Sequence, residues 1–147
     1  MNKKTNSDII FVFDCEPVSI NKLYVSCRGA KRFISKEGKA FKTKVEATVT
    51  KQLNKSMSKI ISELVGKPLT VNVTVGLPTW LLKNGKSVRK KDIDNTFKAL
   101  NDSVFNVLQA KVDEKLDDSY VWQVTLTKKV TSEVEVTFQI SEYESQL

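Results

Sequence analysis

Residues 88–102 read Val-Arg-Lys-Lys-Asp-Ile-Asp-Asn-Thr-Phe-Lys-Ala-Leu-Asn-Asp. Three cations, Arg89, Lys90 and Lys91, run directly into two carboxylates, Asp92 and Asp94, separated by a single residue. Ile93, Phe97, Leu100, Val104 and Leu108 then recur at helical spacing and predict a buried stripe. Asp94 suits the N-cap of that helix, where a side-chain oxygen accepts the free amide hydrogens of the first turn. Asp94, Lys98 and Asp102 are four residues apart and share a second stripe beside the apolar one. Asp92 precedes the helix and can turn its carboxylate toward Asp94. Asp117-Asp118 adds a second acidic pair downstream.

Cations beside carboxylates suit a site that takes a metal ion and a phosphate together. A hard cation such as Mg²⁺ takes oxygen ligands, often one or two protein carboxylates with several waters. Held there, it can bind a scissile phosphate, orient or activate a water and steady the leaving oxygen. A lysine one turn away can neutralise charge that builds on the phosphate. The same residues also admit a plain structural reading, because an N-capping Asp with a Lys at i+4 is an ordinary helix start.

Composition narrows the chemistry. The chain has 147 residues, enough for one domain with a real core, and is read as a single domain over 1–147 with 1–7 and 142–147 loose. A net charge of +7 favours a polyanionic partner. With no histidine in the chain, a His general base and His metal ligands are excluded. Two cysteines, Cys15 and Cys27, are too few for a thiolate metal site and read as thiols in predicted strands of a reducing cytosol. No stretch is long and apolar enough to span a membrane.

The elements around the acidic stretch can be placed in turn. Ile9 to Cys15 is a continuous apolar run and predicts a buried strand. Leu23 to Cys27 and Lys31 to Ile34 predict a hairpin. Ser35 suits a helix cap, with Phe41, Val45, Thr48, Val49 and Leu53 on the helix's apolar side and a break near Asn54–Ser58. Leu69, Val71, Val73 and Val75 alternate with polar residues, as a half-buried strand does. Trp80 is expected in the core, although it also has the shape of a wedge for unstacked bases. Val121 to Thr127 predicts a strand with Tyr120, Trp122, Val124 and Leu126 on one face. Lys128 to Ser132 is expected to join it to Val134–Ile140 as a hairpin. The sum is an α+β fold, a single mixed β-sheet with two main helices packed on one face.

Candidate backbone-binding cations are Lys22, Arg28, Lys31 and Arg32 in the first hairpin, and Lys83, Lys86, Arg89, Lys90 and Lys91 before the acidic pair. For each of them a solvated surface charge is the competing reading.

Lys91-Asp92-Ile93-Asp94-Asn95, Lys98-Ala99, Asp102 and Asp117-Asp118 resemble, in order, the core signature of the RusA family of Holliday-junction resolvases. Pro17-Val18-Ser19-Ile20-Asn21-Lys22-Leu23-Tyr24 is similar to that family's opening, and Ser35-Lys36-Glu37-Gly38-Lys39-Ala40-Phe41 to its entry into the first helix. The resemblance implies an Mg²⁺-dependent endodeoxyribonuclease, with Mn²⁺ as a substitute, that resolves branched DNA by paired symmetric nicks as a homodimer. It implies metal ligands at Asp92, Asp94 and Asp118, a catalytic Lys98, and supporting roles for Asn95, Asp102 and Asp117. It also suggests a recombination or repair setting, a phage or prophage gene and a cytoplasmic location, that of the bacterial host if phage-encoded. The chain departs from the family over Gln109–Leu116, where the connection to the second acidic pair is longer. A branched-DNA-binding protein without catalysis, or a metal nuclease for other DNA structures, fits the same residues.

Overall fold

The computed structural model describes residues 9–18, 24–26, 32–80 and 93–144. The elements run β1 (Ile9–Phe13), β2 (Tyr24–Ser26), β3 (Arg32–Ile34), α1 (Lys36–Gln52), α2 (Lys55–Glu63), β4 (Leu69–Gly76), a 3₁₀ turn (Pro78–Trp80), α3 (Ile93–Lys111), a second 3₁₀ turn (Asp118–Tyr120), β5 (Val121–Lys129) and β6 (Glu135–Glu142). β1, β6, β4 and β5 form one mixed sheet in that order, and β2 pairs with β3. The fold is therefore α+β, with three described helices where two main ones are expected.

The helices start and stop for local reasons. The Ser35 hydroxyl accepts the Gly38 amide at 2.9 Å and caps α1. Leu53 leaves the helical conformation, and Asn54 caps α2 by accepting the Met57 amide at 2.8 Å. The break expected near Asn54 is thus real, because Asn competes for backbone hydrogens and restarts the helix. α3 begins at Ile93, one residue earlier than expected, so Asp94 lies in its first turn rather than at its cap.

β4 buries Leu69, Val71, Val73 and Val75, and β6 buries Val136, Phe138 and Ile140 on the same side. Phe41, Val45 and Val49 of α1 and Leu100, Val104 and Leu108 of α3 complete this core. Phe105 meets Phe138 edge-on, with ring centroids 6.5 Å apart. α3 is buried on more than the expected stripe, since Thr96, Ala99, Ser103 and Val107 are also covered. The reason is that α3 packs against α1 as well as against the sheet.

Four expectations need correction. β1 is half-buried, because Ile10 and Val12 point away from the helices and stand exposed. Cys15 accordingly lies past the end of β1 and is half-buried, and burial pushes its thiol pKa up. Finally, β5 and β6 do not form a hairpin. β5 pairs parallel with β4, and β6 inserts between β4 and β1, antiparallel to both. Val136, Phe138 and Ile140 form a fully buried row, which needs a strand on each side; β5, with its largely exposed side chains, takes the edge instead. β6 continues through Glu142, and the Tyr143 amide donates to Pro68 O at 2.9 Å, so the chain expected to be loose from 142 is held two residues further.

Trp80 is in the core, with its indole N–H donating to Val75 O at 2.7 Å and the Lys128 ammonium 4.6 Å from its ring centroid. Gly76, next to that corner, has no room for a side chain. A Cβ there would sit 2.7 Å from Thr131 Cγ2 and 2.8 Å from the Glu135 carbonyl oxygen. Gly76→Ala is expected to destabilise the fold by about 1–3 kcal/mol, because backbone must move to admit the methyl. Urea unfolding of the variant reads this as a lower midpoint.

Candidate nuclease site

α3 carries the first half of the site. The helix runs unbroken from Ile93 to Lys111, so Asp94, Lys98 and Asp102 share one stripe as expected. Lys98 is exposed and Asp102 is half-buried at the edge of the core. Asp94 and Asn95 are described by their backbone in the first turn, where the helix dipole favours negative charge. Asp92 lies outside the described residues, as do Lys22, Arg28, Lys31, Lys83, Lys86, Arg89, Lys90 and Lys91. Arg32 is placed by its backbone at the start of β3, opposite Ser26.

The second half comes from the turn that leads into β5. The first three residues of the Gln109–Leu116 connection are helical, because α3 takes in Gln109, Ala110 and Lys111. The chain then turns quickly. The Val112 and Asp113 amides return to Leu108 O at 2.8 and 3.2 Å, and the Lys115 amide donates to Asp113 Oδ1 at 2.9 Å. Leu116 is buried and anchors the turn just before the acidic pair. Asp117 caps the following 3₁₀ turn by accepting the Ser119 amide at 3.0 Å.

That turn packs against α3 and brings Asp118 within electrostatic reach of Asp102. The effect on the carboxyls is opposite in sign. Partial burial pushes the Asp118 carboxyl up, helped by a hydrogen bond shared with Asp117 and by the charges of Asp117 and Asp102. The Ser119 amide holds Asp117 down, and Asp118 supplies the shared proton. Asp117 and Asp118 thus titrate as a pair that resists carrying its full charge. Among the described residues no three acidic, His or Cys side chains stand close enough to hold a metal. The oxygen donors present, with no His in the chain, are of the kind Mg²⁺ takes.

One feature of the site was not legible beforehand. Asp102 faces the second acidic pair as well as following Lys98, and only the path of the Val112–Leu116 turn shows it.

The sign of the Asp118 shift sets an expectation. A carboxyl raised in the fold contributes stability below its unfolded pKa, and that contribution is lost as pH rises through the folded value. Asp118→Asn should therefore melt no lower than the unsubstituted protein at neutral pH in EDTA. Asp117→Ala, which strips the Ser119 amide of its acceptor, should melt lower. Thermal unfolding of the two variants checks both.

A family model described as Endodeoxyribonuclease RusA matches residues 14–141. No curated protein matches the chain.

Proposed function

The chain belongs to the RusA endodeoxyribonuclease family, and from that premise we propose that it is an Mg²⁺-dependent enzyme that resolves Holliday junctions by paired symmetric nicks, as a homodimer. The observation that carries the reading is the placement of Asp118, by the turn that packs against α3, within electrostatic reach of Asp102 on the stripe that also holds Lys98. A group of acids set against one another in this way is costly unless a cation belongs among them.

Asp92, Asp94 and Asp118 would hold the metal, and Mn²⁺ would substitute for Mg²⁺. When bound, the ion supplies charge neutralisation at the scissile phosphate and lowers the pKa of water. Lys98 stands one turn from Asp94 and stabilises the charge that develops on the non-bridging oxygens. Asp102 orients the Lys98 ammonium from one turn further on. Asp117 fixes the turn that presents Asp118 by accepting the Ser119 amide. Asn95 is a further candidate for a supporting role beside the metal. The basic segments around Lys22–Arg32 and Lys83–Lys91 engage the phosphate backbone of the junction arms, so binding weakens steeply as salt rises. A two-fold dimer presents two such sites to two equivalent strands.

No helix among the described residues is long and apolar enough to cross a membrane. A cytoplasmic setting, in the bacterial host for a phage-borne gene, and a role in DNA recombination or repair accord with this reading.

The test is cleavage of a synthetic four-way junction and a matched linear duplex, in Mg²⁺ and in EDTA. Opposed nicks on the junction alone, in Mg²⁺ alone, are expected. Asp94→Asn and Asp118→Asn should each lower the cleavage rate by roughly a thousandfold and Lys98→Ala by roughly a hundredfold, with junction affinity in EDTA changed little. Tight binding without nicks in either Mg²⁺ or Mn²⁺ would overturn the enzyme reading in favour of a branched-DNA-binding protein. Equal cutting of the duplex would make it a nuclease of broader choice.

A further inference from the structure

The sequence holds two tryptophans, and the fold treats them oppositely. Trp80 is buried with its indole N–H satisfied, which closes the wedge role that its shape suggests. Trp122 is 66% exposed, the most of any large apolar side chain among the described residues. Its exposure is built in. Val121 pairs with Leu69 and Gln123 with Thr70, so Trp122 is the extra residue of an irregularity in the β4–β5 ladder. A bulge of this kind re-aims a side chain out of the strand's alternation. The indole then lies against Tyr143, tilted by 54° with ring centroids 5.6 Å apart. Tyr143 is tied to the sheet in turn, since its amide donates to Pro68 O at 2.9 Å.

The neighbours of this aromatic pair carry no charge. Thr70 and Ser141 stand opposite each other on β4 and β6, alternate with buried Val71 and Ile140, and so face away from the helices. Gln123 joins them, because the Thr70 hydroxyl donates to Gln123 Oε1 at 3.3 Å. That bond leaves both hydrogens of the Gln123 amide nitrogen for another acceptor. A phosphate calls for cations, and none of these side chains supplies one. A ring beside neutral donors and acceptors suits a nucleobase, which stacks on its face and hydrogen-bonds at its edge. Inside a duplex both faces of a base are already covered, so only an unpaired base can stack here. Trp122 follows Asp118 by four residues, which span about 14 Å at most.

We propose that Trp122, backed by Tyr143, is a stacking site for an unpaired DNA base within about four base steps of the phosphate at Asp118. The proposal deepens the nuclease reading and rests on it for DNA as the ligand. Such a site accepts a base freed where strands branch and offers nothing to a paired one, so it favours branched over linear DNA. It tolerates any sequence, because every base has a π-face.

The test is fluorescence of the full chain in EDTA with a dye-labelled oligothymidylate, and with a fully paired hairpin duplex as the control. In the unsubstituted protein the oligothymidylate should quench emission from the exposed indole. Trp122→Phe leaves Trp80 as the one tryptophan, so the quench should vanish, while affinity by anisotropy stays within about threefold because a phenyl ring still stacks. Trp122→Ala should lose roughly tenfold in oligothymidylate affinity and keep its duplex affinity. Blue-shifted emission from buried Trp80 reports that each variant is folded. A quench that persists in Trp122→Phe, full oligothymidylate affinity in folded Trp122→Ala, or an equal loss on the duplex would each overturn the proposal. Oligothymidylate that fails to bind the unsubstituted protein would also overturn it, and would give the aromatic pair to a protein partner. Junction cleavage in Mg²⁺ is scored separately. The expected quench and affinities without nicks keep the stacking site and sink the nuclease reading. Junction nicking alongside full oligothymidylate affinity in Trp122→Ala sinks only the stacking site.

Discussion

The parallel pairing of β4 with β5 is the constraint on which the remaining structure depends. Two parallel neighbours cannot be joined by a tight turn, so the chain must cross back over the sheet, and α3 is that crossover. The crossover packs α3 on the sheet, where Phe105 meets Phe138 of β6, and on α1, and leaves Lys98 exposed and Asp102 half-buried along its remaining side. The return into β5 then has to pass the same helix, and it carries Asp118 with it. Two acidic segments far apart in sequence meet because the sheet demands that path.

The energetics of the meeting are unfavourable for the protein alone. Partial burial, and then the neighbouring acids, push the Asp118 carboxyl up, while the Ser119 amide holds Asp117 down. The surrounding core makes this tolerable, with Leu116 pinned inside and α3 held on two sides.

Much of this was legible in the sequence. The β4 alternation, the Ser35 cap, the break at Asn54, the burial of Trp80 and the Leu100, Val104 and Leu108 part of the α3 stripe all follow from local spacing and composition, and each is found. What misled was non-local. Val121–Thr127 and Val134–Ile140, close in sequence, read as a hairpin, yet β6 crosses to the far side of β4 because its buried row needs two neighbours. Tyr120, Trp122, Val124 and Leu126 read as one face of a strand. A register shift opposite Leu69–Thr70 and the edge position leave Tyr120, Trp122 and Val124 in solvent and Leu126 partly covered. Residues 109–116 read as a long connection, but helix propensity carries α3 through Lys111 and shortens the loop. The roles of Asp92 and of the basic segments rest on the sequence, because these lie outside the described residues.

The most direct test of the central claim is anomalous diffraction from crystals of this protein soaked in Mn²⁺. The account predicts a peak within coordination distance, about 2.0–2.3 Å, of carboxylate oxygens from both the first turn of α3 and Asp118. Asp118→Asn should remove or weaken that peak. A peak bound by one segment alone, or lying elsewhere on the molecule, would contradict the account.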